Sequence, residues 1–278
     1  MFILGQPRSG TTLLHSLLAL DTQRFCYCNT FCAGFPESFL IFESLGKQIF
    51  QGILSKTRPM DNMPLHFDLP QEDELATILL TGGECSPYMS LYFMKDELYY
   101  RKYQRMKYSK NIDSTTPSTC SLDIDVDTTY LRQEEYVSQK DLDVWKRNFQ
   151  YLIMKLKCRD LLLQKHMSHH NKQQSSSTYN KNNKNEWSPR QLLLKSPCHT
   201  GRVQLLLKLF PRAKFIYIHR NPYDIFLSGA YMASTTYGYM FLQRPTNAML
   251  QEYILRQGEL LVSEYLKCTE VGLLHTQV

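Results

Sequence analysis

Short continuous apolar runs alternate along the chain with longer stretches whose apolar residues recur every three or four positions. The short runs predict buried β-strands, and the periodic stretches predict helices. We predict strands at 2–4, 191–195 and 214–221, strand or loop at 26–36, and helices at 13–20, 39–54, 70–80, 142–163, 203–210 and from 222 onwards. Because strands that alternate with helices form a parallel sheet, the pattern predicts an α/β fold with a central parallel sheet flanked by helices.

A compact polar turn separates the first predicted strand from the first predicted helix. It contains one glycine, Gly10, one arginine, Arg8, and three hydroxyl side chains, those of Ser9, Thr11 and Thr12. The N-terminus of a helix presents unpaired N–H groups, glycine lets the backbone approach a ligand closely, and arginine binds anions with a forked cation. We interpret the turn as a phosphate or sulfate cradle. The alternative is an ordinary strand–turn–helix in which a Ser or Thr side chain caps the helix.

The later predicted strands also end in polar side chains. Lys195 ends one strand, Arg220 lies at the end of the next, and Ser228 follows eight residues after Arg220 inside a helix. Ligands of open parallel sheets bind at the carboxyl ends of the strands. We therefore expect Arg8 and Arg220 to lie at the same edge of the sheet.

Three consecutive acids, Glu72, Asp73 and Glu74, follow Pro70 at a predicted helix start. Acids in the first turn interact favourably with the positive end of the helix dipole, which explains them structurally. Three acids exceed what capping needs, and helical spacing directs them to different sides of the axis. One of them is therefore a candidate for a cleft.

The net charge of +6 suits an anionic ligand, and no recognised nucleic-acid module is present, so we predict no nucleic-acid partner. No apolar run is long enough for a transmembrane helix, and no signal peptide is visible. Eight cysteines without a CxxC pair predict mostly buried thiols, with a lumenal disulfide left open. The polar, low-complexity segment 165–186 predicts a disordered insertion within a single domain that spans 2–270.

Two motifs carry a resemblance to a known family. Residues 7–12 resemble the 5′-phosphosulfate loop of the sulfotransferases that depend on 3′-phosphoadenosine-5′-phosphosulfate (PAPS). Residues 215–228 resemble their 3′-phosphate-binding stretch, in which a strand-end arginine, here Arg220, precedes a serine, here Ser228, by eight residues. The segments 58–63, 70–74 and 86–88 resemble a sulfotransferase-like branch of microbes and protists, and 194–197 with 210–215 are more distantly similar to tyrosylprotein sulfotransferases.

The resemblance implies a P-loop-like three-layer fold and transfer of a sulfuryl group from PAPS, without a metal, to a hydroxyl or amine. The acceptor is a carbohydrate, a protein tyrosine or a small molecule. Arg8 and the N–H groups of residues 9–12 would bind the 5′-phosphosulfate, while Arg220 and Ser228 would bind the 3′-phosphate. Lys195 either reaches the sulfuryl group or forms a structural ion pair. The predicted base is Glu72, and Glu74 and His66 are its alternatives.

Two other functions stay open at this stage. A non-catalytic or truncated nucleotide-binding relic is the stronger alternative, because the C-terminus looks truncated before the glycine-rich segment of many sulfotransferases. A P-loop nucleotide kinase is the weaker one, because a Walker lysine and a magnesium-binding acid are not evident. The compartment is cytoplasmic on this sequence alone, or the Golgi lumen if an upstream anchor is missing. The sequence leaves the oligomeric state open.

Overall fold

Four short strands form the central sheet of this computed structural model, which describes residues 1–109, 136–174, 190–270 and 272 and, within 167–174, the backbone only. The strands are β1 (Phe2–Leu4), β2 (Phe25–Tyr27), β3 (Gln191–Lys195) and β4 (Phe215–Tyr217). Their order in the sheet is β2-β3-β1-β4, and every neighbouring pair is parallel. The predicted α/β fold with a central parallel sheet is therefore confirmed.

Helices cover the sheet and connect its strands. Within the described residues, the α-helices are α1 (Thr11–Ala19), α2 (Thr30–Gly34), α3 (Phe39–Phe50), α4 (Asp73–Leu80), α5 (Met89–Tyr92), α6 (Glu97–Tyr100), α7 (Lys102–Arg105), α8 (Gln139–Gln174), α9 (Val203–Leu209), α10 (Pro222–Thr235) and α11 (Asn247–Glu270). Short 3₁₀ helices span Met94–Asp96, Pro197–Arg202 and Tyr237–Tyr239. None of the described helices combines the length and apolar character that a membrane span needs.

The strand register brings the carboxyl ends of β1, β3 and β4 to one edge of the sheet. Ile3 pairs with Lys195, and Leu4 pairs with Tyr217. The turn after β1, the end of β3 and the segment after β4 consequently start from the same edge. This edge is where an open parallel sheet offers its ligand crevice.

The main hydrophobic core lies between the sheet and the helices. Long side chains of α8 fill it, notably Trp145 and Phe149, which stack with their ring centroids 4.8 Å apart and are fully buried. Phe2 of β1 and Leu206 of α9 also belong to this cluster. Of the seven cysteines in the described part of the chain, six are buried and all are free thiols, while Cys158 is exposed.

Three elements differ from their predicted extent. Residues 30–34 form a helix, because the Asn29 side chain caps it by accepting from the N–H of Cys32 at 2.8 Å. Strand β4 has only three residues, and it pairs with β1 alone. Helix α8 continues through residues 165–174, the first part of the predicted insertion; the rest of that segment, from residue 175, lies outside the described residues.

Candidate active site

The turn between β1 and α1 has the backbone of a close-approach loop. Gly5 has a φ of 152°, and a Cβ atom there would lie 2.6 Å from the Ser9 hydroxyl and 2.8 Å from the Ile218 carbonyl oxygen. Gly10 has a φ of 102°, is exposed, and has open space where a Cβ atom would stand. The first-turn N–H groups of α1 have no carbonyl partners within the helix. They adjoin this open position, and N–H groups at a helix N-terminus are suited to binding an anion.

The hydroxyl side chains of the turn serve different purposes. Ser9 is buried and its hydroxyl donates to the Gln6 carbonyl oxygen at 2.8 Å, so it closes the turn on itself. Thr11 is buried beneath the turn, beside Gly5. Thr12 accepts from the Lys195 ammonium at 3.3 Å, and so connects α1 to the end of β3.

Each of the three nitrogens of the Arg8 guanidinium contacts a group within the protein. Its Nε atom donates to the Ser228 hydroxyl at 2.9 Å, Nη1 contacts Asp61 Oδ2 at 2.9 Å, and Nη2 contacts the Met60 carbonyl at 3.4 Å. Arg8 itself has a φ of 71°, the left-handed region that a non-glycine residue occupies at a cost of about 1–2 kcal/mol. The side-chain contacts of Arg8 hold the residue in this backbone conformation.

Arg220 and Ser228 lie next to Arg8. The strand ends predict this common edge of the sheet for Arg8 and Arg220. The Arg220 Nη1 atom lies 3.5 Å from the Arg8 carbonyl oxygen, and Ser228 on α10 accepts from Arg8. Arg220 is 47% exposed, and its Nε atom makes a long contact of 3.5 Å with Asp224. Its guanidinium therefore faces solvent beside the turn, where a soluble anion can reach it.

Lys195 and Glu72 form the polar centre on the other side of the turn. The Lys195 Nζ atom is 2.7 Å from Glu72 Oε1, and the Lys195 side chain is only 2% exposed. The other carboxylate oxygen of Glu72 accepts from the Tyr88 hydroxyl at 2.9 Å. Burial and the neighbouring Glu72 carboxylate raise the pKa of Tyr88 well above its usual value, so its hydroxyl stays a hydrogen-bond donor.

The three consecutive acids take three different environments. Glu72 makes no capping hydrogen bond to its own helix; its carboxylate points to Lys195 and remains 19% exposed. Asp73 is buried and accepts from the Lys195 backbone N–H at 2.8 Å and from His199 Nε2 at 2.6 Å. Glu74 is buried and pairs with Arg202 at 2.6 Å. Burial by itself would raise the pKa of Asp73, but the His199 charge and these hydrogen bonds outweigh it and lower that pKa.

The two alternative bases lie apart from this centre. Glu74 and Arg202 have no exposed side-chain surface, so an acceptor molecule in solvent does not reach Glu74. His66 is 58% exposed and contacts Asp68 at 3.3 Å. Among the three residues named as candidate bases, Glu72 alone contacts Lys195.

The sequence did not predict three residues that lie next to Arg8 or Glu72. Asp61 contacts Arg8, Tyr88 contacts Glu72, and the pKa of buried Tyr237 is raised by its burial and by nearby Glu72, with Arg8 acting in the opposite direction. The segments that contain Asp61 and Tyr88 carried a family resemblance, which was the available signal. In the described residues, no cluster of three or more side chains has the composition of a metal site.

The chain is similar in sequence to known sulfotransferases. The sequence model described as "Sulfotransferase family" matches residues 126–263. The "Omega-hydroxy-beta-dihydromenaquinone-9 sulfotransferase Stf3" of Mycobacterium bovis (strain ATCC BAA-935 / AF2122/97) is 29% identical over 246 residues, which are 88% of this chain and 48% of that protein. The protein of the same name from Mycobacterium tuberculosis (strain CDC 1551 / Oshkosh) gives the same values.

The chain thus spans about half the length of the curated relatives it matches. No solved structure gives a significant match. The family match, the two mycobacterial relatives and the parallel α/β sheet all support a sulfotransferase family for this chain.

Proposed function

We propose that the protein transfers a sulfuryl group from PAPS to a hydroxyl group of a small molecule. The observation that carries this proposal is the contact between the two predicted anion sites, the turn at Arg8 and the pair Arg220 and Ser228. Arg220 lies 3.5 Å from the backbone of Arg8, and the Arg8 side chain bonds to Ser228, although these residues are more than 200 positions apart in the chain. A donor with phosphate groups at both its 5′ and 3′ positions needs two such anion sites beside each other.

Residues of the turn and of α10 fit this donor. The exposed Gly10 backbone and the first-turn N–H groups of α1 suit its 5′-phosphosulfate, because they offer donors at the positive end of a helix dipole. The solvent-facing Arg220 guanidinium and the Ser228 hydroxyl suit its 3′-phosphate. PAPS, when bound, would supply the sulfuryl group, with 3′,5′-adenosine bisphosphate as the leaving group.

Glu72 and Lys195 would act in the transfer step itself. Glu72 would accept the proton of the acceptor hydroxyl as the new O–S bond forms, since it is the accessible carboxylate of the three acids. Arg8 and Lys195 would stabilise the negative charge left on the bridging phosphate oxygen when its bond to sulfur breaks. As in phosphoryl transfer, positioning and charge stabilisation then supply most of the rate enhancement.

The similar mycobacterial proteins support a small-molecule acceptor. The matching mycobacterial proteins are named for an omega-hydroxy-dihydromenaquinone substrate, which bears a hydroxyl on an apolar molecule.

The test is calorimetric titration of the purified chain with 3′,5′-adenosine bisphosphate, alongside the variants Arg8→Ala and Arg220→Ala. We expect micromolar binding by the parent and a 10- to 100-fold loss in each variant, which is about 1.4–2.8 kcal/mol. The matched control is Arg24→Ala, because Arg24 is 81% exposed and lies at the opposite edge of the sheet, before β2. A folded parent that binds no bisphosphate would favour the non-catalytic relic instead.

A further inference from the structure

One carboxylate oxygen lies between two arginines of the site. Asp61 Oδ2 is 2.9 Å from Arg8 Nη1 and 3.3 Å from Arg58 Nη2. The side chains of all three residues are mostly buried, with exposed fractions between 16% and 21%. Two guanidinium groups repel one another, so an anion must lie between them for this arrangement to be stable.

The segment that carries Asp61 and Arg58 is organised without the Arg8 contact. Thr57 and Pro64 form an antiparallel bridge, and backbone bonds join Leu65 to Lys56 and Arg58 to Met63, each at 2.9 Å. The turn itself is closed by a bond from the Asn62 N–H to the Arg58 carbonyl, also at 2.9 Å. Rotation of the Asp61 side chain away from Arg8 would break its bond with the Met63 N–H, at 3.3 Å, but would leave the backbone at Arg58 in place.

We propose that the Asp61 carboxylate occupies the binding position of the donor's 5′-phosphosulfate while the donor is absent. Arg58 is then a further donor-binding residue. This assignment rests on the function proposed above. Asp61 Oδ2 contacts both Arg8 Nη1 and Arg58 Nη2, so a donor group that binds these two nitrogens together takes the position of the carboxylate. Asp61 is the charged one among the side-chain partners of Arg8, and a donor group with more negative charge displaces it from between the same two guanidinium groups.

The geometry fixes the sign of the effect of removing the carboxylate. In Asp61→Asn the two arginines lose the anion between them, and the position is left with two uncompensated positive charges. Binding of an anion there no longer requires displacement of a carboxylate. We therefore expect Asp61→Asn to bind 3′,5′-adenosine bisphosphate about tenfold more tightly than the parent does.

The experiment measures the dissociation constant of 3′,5′-adenosine bisphosphate by calorimetry for the parent, Asp61→Asn, Arg58→Ala and the double variant. Asp68→Asn is the matched control, since it makes the same charge change on a nearby exposed residue that contacts Lys47 and not Arg8. We expect no more than a twofold change in Asp68→Asn. We expect Arg58→Ala to weaken binding in both backgrounds, and more strongly in Asp61→Asn.

A second measurement needs no nucleotide. Without sulfate in the buffer, Asp61→Asn should unfold at a lower temperature than the parent, because its two arginines repel one another. Millimolar sodium sulfate should raise that temperature more in Asp61→Asn than in Asp68→Asn.

The outcomes separate this assignment from the proposed function. If the parent binds the bisphosphate and Asp61→Asn binds it no more tightly than Asp68→Asn does, the assignment of Asp61 is wrong and the proposed function stands. Weaker binding by Asp61→Asn would mean that the carboxylate orients Arg8 for the donor. That result would also overturn the assignment of Asp61. If neither the parent nor Asp61→Asn binds, both proposals fail.

Discussion

Glu72, Asp73 and Glu74 occupy consecutive positions, and each has a different partner. Glu72 faces Lys195 at the accessible side, Asp73 accepts from His199, and Glu74 pairs with Arg202. A helix start rotates successive side chains by about 100°. Three adjacent carboxylates consequently divide between one candidate base and two buried structural groups.

The substitution Glu72→Gln tests the role of the accessible carboxylate. It keeps the size of the side chain and its capacity to accept from Lys195, but it removes the proton acceptor. We expect the rate of sulfuryl transfer to fall by about 10²–10⁴, while affinity for 3′,5′-adenosine bisphosphate stays within about threefold. Labelled PAPS in an acceptor screen measures the rate, and calorimetry measures the affinity.

The control for Glu72→Gln is Glu84→Gln, at an exposed position next to the same segment. Transfer by Glu72→Gln at the parent's rate would exclude Glu72 as the base. An equal loss of bisphosphate affinity would instead assign Glu72 to donor binding.

At the scale of elements, helix α4 is held to the segment after β3 by its buried acids. Asp73 joins the helix to the 3₁₀ helix Pro197–Arg202 through His199, and Glu74 joins it through Arg202. Arg202 also donates to the Tyr103 carbonyl of α7 and lies over the Trp145 ring of α8, 4.8 Å from its centroid. These contacts fix the start of α4, and with it the position of Glu72.

The substitution Glu74→Gln should destabilise the fold. It removes the charge that compensates fully buried Arg202, and an uncompensated buried charge costs about 3–5 kcal/mol. Urea unfolding of the variant should show a free energy of unfolding that is lower by this amount. Exposed Glu259→Gln should change it by less than about 0.5 kcal/mol. A loss below about 1 kcal/mol in Glu74→Gln would mean that the pair contributes little to holding α4.

For the molecule as a whole, stability should depend on pH through a buried histidine of α1. Burial lowers the pKa of His15 from 6.5 to about 3, and the Lys195 charge acts in the same direction, while Asp73 opposes it. Between these two pH values the unfolded chain binds a proton at His15 and the folded chain does not. This contribution therefore lowers stability as the pH falls from about 6.5 towards 3, with a slope of up to about 1.4 kcal/mol per pH unit.

Urea unfolding at pH 7, 6 and 5 checks this pH dependence. The free energy of unfolding of the parent should fall more steeply with decreasing pH than that of His15→Gln, which has no imidazole to protonate. Equal slopes for the two proteins would show that His15 takes up its proton equally in both states.

Much of the local structure could be predicted from the sequence. Apolar runs determined β1 and β3, and periodic apolar residues determined α3 and the central part of α8, because these patterns depend on neighbours along the chain. The same local reasoning identified the turn at Arg8, and the family resemblance identified the pair Arg220 and Ser228. The strand pattern also predicted the edge at which Arg8 and Arg220 lie, since parallel strands place their carboxyl ends together.

Only the tertiary structure decided which of these groups contact one another. Arg8 and Asp61 are 53 positions apart, Lys195 and Glu72 are 123 apart, and His199 and Asp73 are 126 apart. No periodicity in a short window relates such residues, because their contacts depend on how strands and helices pack over the whole domain. The sequence by itself determined which cations and acids stand at strand ends and helix starts. Packing decided that Arg8 faces an internal carboxylate and that Glu72, rather than Asp73 or Glu74, reaches solvent beside Lys195.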